Sequence, residues 1–297
     1  MSTRQRALRT IFVGNGVNRL AGPTSWQEVL CSLATFVGKS DLIMEDIEVK
    51  PFTLVFEEVY FRAARTHGTK ELHLKQEAAR LVSQIPSSSF HAELVQAAGP
   101  HILTTNYDYN LERALTAKHF DTSSQAEKTY SLYRRQSAGD HSVWHIHGET
   151  SVPRSLALGH NHYSGSLHHM RRYLVTKSKR SRRKASPFLR GRFDFDKGSQ
   201  PFSWLDVFLR DDVHIYGFSL DYTEIDIWWL ISFKERLRLD GISVGRTYFH
   251  HSVPRDNPKR VLAKTAILRS FGVTTHKLDG LDHHTRFNQF LAYFRSH

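Results

Sequence analysis

Three short polar clusters in this chain have the residue types and positions for chemistry on a nucleotide. An apolar run, Ile11-Phe12-Val13, leads into Gly14-Asn15-Gly16. A second leads through Thr104-Thr105 into Asn106-Tyr107-Asp108, and a third delivers His145-Ile146-His147-Gly148. A Gly-x-Gly turn after a strand could let backbone N–H groups approach a pyrophosphate closely, although turns recruit glycine for other reasons too. Asn106 offers a donor and an acceptor, which suits a carboxamide, a ribose hydroxyl or a water. Asp108 offers acceptors only and is equally placed to cap the helix that follows. His145 and His147 alternate on a strand and are expected to point to one face. His147 precedes Gly148, where the strand opens to the ligand edge, and a histidine there can act as a general base near neutral pH.

The elements that must position these groups alternate. Strands are expected at Thr10–Val13, His101–Thr105, Ser142–Ile146, Val213–Phe218, Val244–His250 and Val273–Lys277, each apolar and short. Helices are expected at Tyr109–Ala117, Tyr222–Leu239, Pro258–Phe271 and His283–Arg295. Strands alternating with helices predict an α/β fold, a Rossmann-like parallel sheet with helices on both faces, whose ligands bind beyond the carboxyl ends of the strands. All the polar clusters sit at such ends. A smaller, mainly helical insertion interrupts the alternation. Ser25 with Glu28 makes a capping box, Trp26, Val29, Leu30, Leu33 and Val37 supply a helical core face, and Pro51–Arg65, Lys70–Ile85 and Phe90–Ala98 follow as helices. The chain therefore divides into a Rossmann-like core from 1–20, 100–148 and 205–297, a helical insertion at about 25–99 and an irregular basic segment at about 150–202, all within one domain.

Composition narrows the field. The chain has 297 residues, is 40% hydrophobic and carries a net charge of +12. No apolar run approaches the roughly 20 residues that span a bilayer, and the basic N-terminus leads into Gly-Asn-Gly rather than a cleavage site, so no membrane segment and no signal peptide are expected. The single cysteine, Cys31, excludes an internal disulfide and any zinc site built on paired cysteines, and a cytoplasmic setting is the simplest. The positive charge favours anionic partners. It is concentrated between Arg171 and Arg192, where ten Lys or Arg residues occur without an acid. With Tyr173 and Phe188 as stacking surfaces, segment 171–192 offers a nucleic-acid contact, against the plainer alternative of a solvated loop.

Taken in order, Gly14-Asn15-Gly16, Thr104-Thr105-Asn106-Tyr107-Asp108, His145-Ile146-His147-Gly148 and Tyr216-Gly217-Phe218-Ser219-Leu220 resemble the sirtuin-like superfamily. They are most similar to its bacterial antiviral-defence branch, whose members hydrolyse NAD+. The resemblance spans roughly Ile11 to Lys277. It implies that NAD+ is the substrate, cleaved to nicotinamide and ADP-ribose with no metal. Gly14, Asn15 and Gly16 would lie at the pyrophosphate, Asn106 and Asp108 would hold the nicotinamide and its ribose, His147 would be the base, and Ser219 would help bind the cofactor. Asn15 replaces the small residue usual in sirtuins between the glycines, and Asn18 stands where serine is common. The four-cysteine zinc ribbon of sirtuins is absent, which argues against NAD-dependent protein deacylation. Relatives of this type work beside a DNA-translocating ATPase or a short Argonaute. Because free consumption of NAD+ would be toxic, restraint by a homo-oligomeric assembly or by such a partner is expected.

Two other classes compete. In a metal-dependent hydrolase, His145, His147, His160, His162, His168 and His169 would supply imidazoles and Asp140 a carboxylate, although no known zinc spacing is present. In a binding module, the same sheet edge would hold NAD+, ADP-ribose or nucleic acid without turnover.

Overall fold

The computed structural model describes residues 8–22, 25–38, 47, 49–115, 121–122, 129–138, 140–175, 203–254, 258–280 and 282–296. Eight strands form one sheet: β1 (Arg9–Val13), β2 (His101–Thr104), β3 (Asp121–Thr122), β4 (Arg135–Ala138), β5 (His141–His145), β6 (Asp212–Tyr216), β7 (Thr247–His251) and β8 (Thr274–Lys277). Their spatial order is β3-β4-β5-β2-β1-β6-β7-β8. The six strands from β5 to β8 are parallel, and β4 and β3 extend the edge antiparallel to them. Counting only the parallel strands, the chain runs outward from β1 through β2 to β5, then returns to the other side of β1 for β6, β7 and β8. The reversal falls between β1 and β6, and in such sheets the crevice at the reversal is where ligands bind. The α/β, Rossmann-like expectation holds, with an antiparallel edge added.

Strand periodicity explains the two layers. Ile11, Val13, Ile102 and Val143 face one side, with Leu94 and Val95 of α4 (Ser89–Ala97) and Phe287, Phe290, Leu291 and Phe294 of α10 (His283–Ser296). Phe12, Leu103, Trp144, Val213 and Ile215 face the other side. There they meet α7 (Trp204–Arg210) and α8 (Ile225–Leu239), while Leu268 of α9 (Pro258–Ser270) and Met170 and Leu174 of α6 (His160–Leu174) complete that layer. The short α5 (Asn110–Leu115) follows β2.

The insertion has its own core. Val29, Leu30 and Leu33 of α1 (Trp26–Phe36) pack on Val55, Phe56 and Val59 of α2 (Phe52–His67) and on Leu74, Ala78 and Val82 of α3 (Glu71–Ser83). Ser25 and Glu28 close the expected capping box at α1. This small core also takes in Tyr107, Leu156 and Leu158, so the insertion is seated on the loops that carry the polar clusters.

Two readings of the sequence are corrected here. Segment 150–202, which has little period, contains α6. Its buried positions are His162, Tyr163, Ser166, Met170 and Leu174, a stripe disguised by polar types, and Gly165 sits where an added Cβ would strike the Tyr130 ring. The helix begins without a conventional cap, because the His162 ring accepts N–H from Leu158 and Gly159 in its place. Tyr173, offered above as a stacking surface, is partly buried against the core, and its hydroxyl donates to Asp206 at 2.8 Å. Phe188 and the rest of the basic stretch beyond Val175 lie outside the described residues.

On the β7–β8 side, His250 is 3% exposed, its Nδ1 has no hydrogen-bond partner, and its Nε2 meets His214 Nδ1 at 3.2 Å. Burial, with His214, His276 and His251 nearby, holds its pKa down to about 2. The unfolded chain protonates this histidine near ~6.5, so its contribution to stability is complete above that pH and shrinks as pH falls toward the folded value. Urea titrations should show His250→Leu losing about 1.2 kcal/mol less than wild type between pH 7 and 5.5; identical losses would contradict this account.

Candidate active site at the sheet reversal

The glycines after β1 are required by backbone crowding. Gly14 N–H donates to Tyr216 O at 3.1 Å and Gly16 N–H to Gly217 O at 2.7 Å. A Cβ on Gly14 would come within 2.8 Å of Gly217 O and Phe218 Cα, and one on Gly16 within 2.5 Å of Gly217 Cα. The turn after β1 is thus sewn to the turn after β6, and both glycine N–H groups are spent on that seam.

Asn15, Asn18, Asp108 and His91 form a connected polar network just above it. Asn18 Nδ2 donates to Asp108 Oδ2 at 2.7 Å and to Asn15 Oδ1 at 3.0 Å, and Asn18 Oδ1 meets His91 Nε2 at 2.9 Å. His91 Nδ1 lies 3.1 Å from the Ser88 N–H, which makes Nδ1 the acceptor and Nε2–H the donor, and so fixes the orientation of the Asn18 amide. Burial lowers the pKa of His91 and favours that neutral form, with Asp108 opposing. Asp108 Oδ1 also accepts from the Asn110 N–H at 3.0 Å, so it caps the turn into α5 and orients Asn18 at once.

Asn106 is held from behind. Its N–H donates to Thr104 Oγ1 at 3.0 Å and its Nδ2 to Gly14 O at 3.4 Å, and its carbonyl accepts from His145 Nδ1 at 2.9 Å. The other nitrogen of His145 meets Glu112 Oε1 at 2.7 Å. Burial pulls the pKa of His145 down, but the Glu112 charge and hydrogen bond, with Glu149 and the Asn106 carbonyl, outweigh it and raise the pKa. Both ring nitrogens face acceptors, which is the geometry of an imidazolium.

His147 does not share that face. Strand β5 ends at His145, the chain bends at Ile146 and His147, and the alternation that predicted a common direction ends there. Its Nε2 lies 3.1 Å from Asp226 Oδ2 on α8, and its ring meets Tyr163 edge-on at 4.9 Å between centroids. Gly148 follows with φ +109°, a backbone region that favours glycine, and an added Cβ would lie 2.5 Å from Ser155 O. This turn folds 155–158 back, so that Ala157 N–H donates to His147 O and Tyr107 Oη donates to Ala157 O. A cavity of about 10 Å³ beside His147, bounded by Tyr130, Leu132, Ala157, Ser166 and Trp204, is the size of one water molecule.

Ser219 is exposed at the end of β6, where its carbonyl accepts from Lys264 Nζ at 2.7 Å. Glu112, Asp226, His91 and Tyr163 are partners that no motif announces. Among them only Asp226 carried a signal, an acid inside the most apolar helical stretch. Three of the six histidines proposed above as metal ligands have other engagements: His145 with Glu112, His147 with Asp226, and His162 with Glu71 and two backbone N–H groups. Among the described residues no group of three could hold a metal ion, and no helix is long and apolar enough to cross a membrane.

Residues 100–191, about a third of the chain, match the family model of the SIR2-like domain, which makes this part of the chain similar to the sirtuin-like superfamily. The match contains Asn106, Asp108, His145 and His147. The β1 turn, the β6 turn and Asp226 of α8 lie outside it and are tied to it by the contacts above. No curated protein matches the chain.

Two outcomes follow. Gly16→Ala should lower the melting temperature by several degrees, since its Cβ meets backbone, and overpacking of this kind costs about 1–3 kcal/mol. Glu112→Gln should lower the unfolding free energy in urea by about 3 kcal/mol by stranding His145; a loss below about 0.5 kcal/mol would show that the pair carries no charge.

Proposed function

We propose that this chain is an NAD+ hydrolase that cleaves the nicotinamide N-glycosidic bond to give nicotinamide and ADP-ribose, with NAD+ as substrate. The observation that carries this reading is the His147–Asp226 pair at 3.1 Å, at the strand ends beside Asn106 in a sirtuin-like sheet. With Nε2–H donated to Asp226, His147 keeps its Nδ1 lone pair for a proton. The leaving group needs no acid: as the C1′–N1 bond breaks, its electron pair passes to N1 and neutralises the pyridinium ring. Water adds to C1′ and gives its proton to His147. Asn106, braced through its carbonyl by His145 and through its amide by Gly14, orients the carboxamide or the water. In this reading Asn15 would lie at the pyrophosphate, Asp108 would hold the nicotinamide ribose, and Ser219, exposed past the end of β6, would help bind the cofactor. The seam uses the N–H groups of Gly14 and Gly16, so phosphate contact there would come from side chains and neighbouring N–H groups.

We further propose that the enzyme depletes NAD+ as an effector of bacterial anti-phage defence. It would act in the cytoplasm, as a homo-oligomer or with a partner such as a DNA-translocating ATPase or a short Argonaute. The enclosure of the site supports restraint of this kind: His147 is 3% exposed and Asn106 7%. Loops covering them must yield before a dinucleotide reaches the base.

Nicotinamide release by purified protein, alone and with its partner, tests the reading. His147→Ala should reduce release by about 10²-fold or more, Asn106→Ala should do likewise, and Asp226→Asn should weaken it while the protein stays folded. Full activity in folded His147→Ala would overturn the assignment, and binding of NAD+ without turnover under every condition would make the chain a binding module.

A further inference from the structure

Trp204 opens α7 and is 1% exposed, packed in the core layer that includes Leu132, Ile146 and Met170. Its backbone N–H donates to Leu132 O at 3.2 Å, but its indole Nε1–H, sealed from solvent, meets no acceptor in the protein. An indole N–H can only donate, and when buried it ordinarily finds an acceptor, because leaving it without one costs more than the bond returns. The apolar side chains around the ring supply none. The ring also walls the cavity of about 10 Å³ beside His147, together with Ser155 and Ser166.

That volume decides the occupant. A cavity of this size holds one water molecule, whereas a pyridine ring or a ribose is several times too large. A buried water also needs several polar partners. Trp204 Nε1–H is the donor. The Ser166 hydroxyl reaches only the Met170 sulfur, at 3.9 Å, so its lone pairs remain as acceptors. His147 commits Nε2 to Asp226 and keeps the Nδ1 lone pair.

We propose that this cavity is a water site and that Trp204 holds there the water that attacks the substrate. The proposal rests on the hydrolase reading and names the group that positions its nucleophile. Trp204 Nε1–H takes one lone pair of the water oxygen, one O–H donates to His147 Nδ1, and the second lone pair is left for C1′. As the oxygen bonds to C1′, the C1′–N1 pair leaves with nicotinamide and the proton passes to His147. With His147 and Asn106 enclosed, bulk water does not compete, and one held molecule replaces a random encounter.

Two measurements on the full chain test this, one of them independent of turnover. The chain has five tryptophans, and with 15N-labelled indoles the Trp204 resonance is the one that Trp204→Phe removes. Its Nε1–H should receive magnetisation from a long-lived bound water. Trp204→Phe keeps an apolar ring and deletes the donor, so kcat for nicotinamide release should fall about tenfold with KM unchanged. In water–methanol mixtures wild type should give ADP-ribose almost exclusively, since methanol does not fit the cavity. The variant should raise the share of methyl ADP-ribose about tenfold, a ratio that a merely structural role would not move. Ser166→Val puts a methyl group at the cavity wall and leaves Trp204 in place. It should abolish the water signal and lower kcat likewise, which keeps the test open where Trp204→Phe does not fold. No transfer from water to the Trp204 indole overturns the proposal, and so does transfer with kcat and product ratio unchanged in the folded variants. Nicotinamide release by wild type without that transfer leaves the hydrolase and removes only the role of Trp204. Transfer without release, alone or with a partner, leaves a structural water and removes the hydrolase as well.

Discussion

The close passage of two turns at the sheet reversal is the constraint on which the site depends. Gly14 and Gly16 lie against Gly217 and Phe218 with no room for a Cβ, and two backbone hydrogen bonds close the contact. Moving β6 away by the width of one methyl group would separate Asp226 from His147. A glycine pair that resembles a phosphate loop is thus, first, the means by which the chain's N-terminal and C-terminal portions share one edge.

Around that seam the polar groups are held in tiers. His145 sits wholly inside and spends both nitrogens on Asn106 and Glu112. His147, two residues later, lies past the end of pairing and turns to the opposite helix layer. Identical side chains receive opposite assignments because one is inside the ladder and the other outside it. Their partners differ accordingly. Glu112 comes from the helix that follows β2, whereas Asp226 comes from the helix that follows β6.

The insertion is more than a decoration on the sheet. Its core includes Tyr107, from the Asn106–Asp108 cluster, and Leu156 and Leu158, from the segment folded back over His147. Trp26 of α1 packs on the Tyr107 ring at 5.7 Å, and Glu71 of α3 holds His162 at the start of α6. Displacing α1 or α3 would therefore be transmitted to the cover of the site.

Local sequence determined the strands and most helices. Apolar runs of four or five residues, a capping box at Ser25 and the order of the polar clusters do not depend on distant partners. The α/β class and the location of Asn106, Asp108 and His147 at strand ends follow from them. It did not reveal α6, whose buried stripe is made of histidine, serine and tyrosine and whose cap is a histidine ring. Nor did it reveal that His145 and His147 diverge, because strand periodicity says nothing about where pairing stops. The partnerships of Glu112, Asp226 and His91 were decided by tertiary structure alone. They join residues separated by 33, 79 and 73 positions, and a hydrogen bond across such a span exists only once the sheet has set the distance.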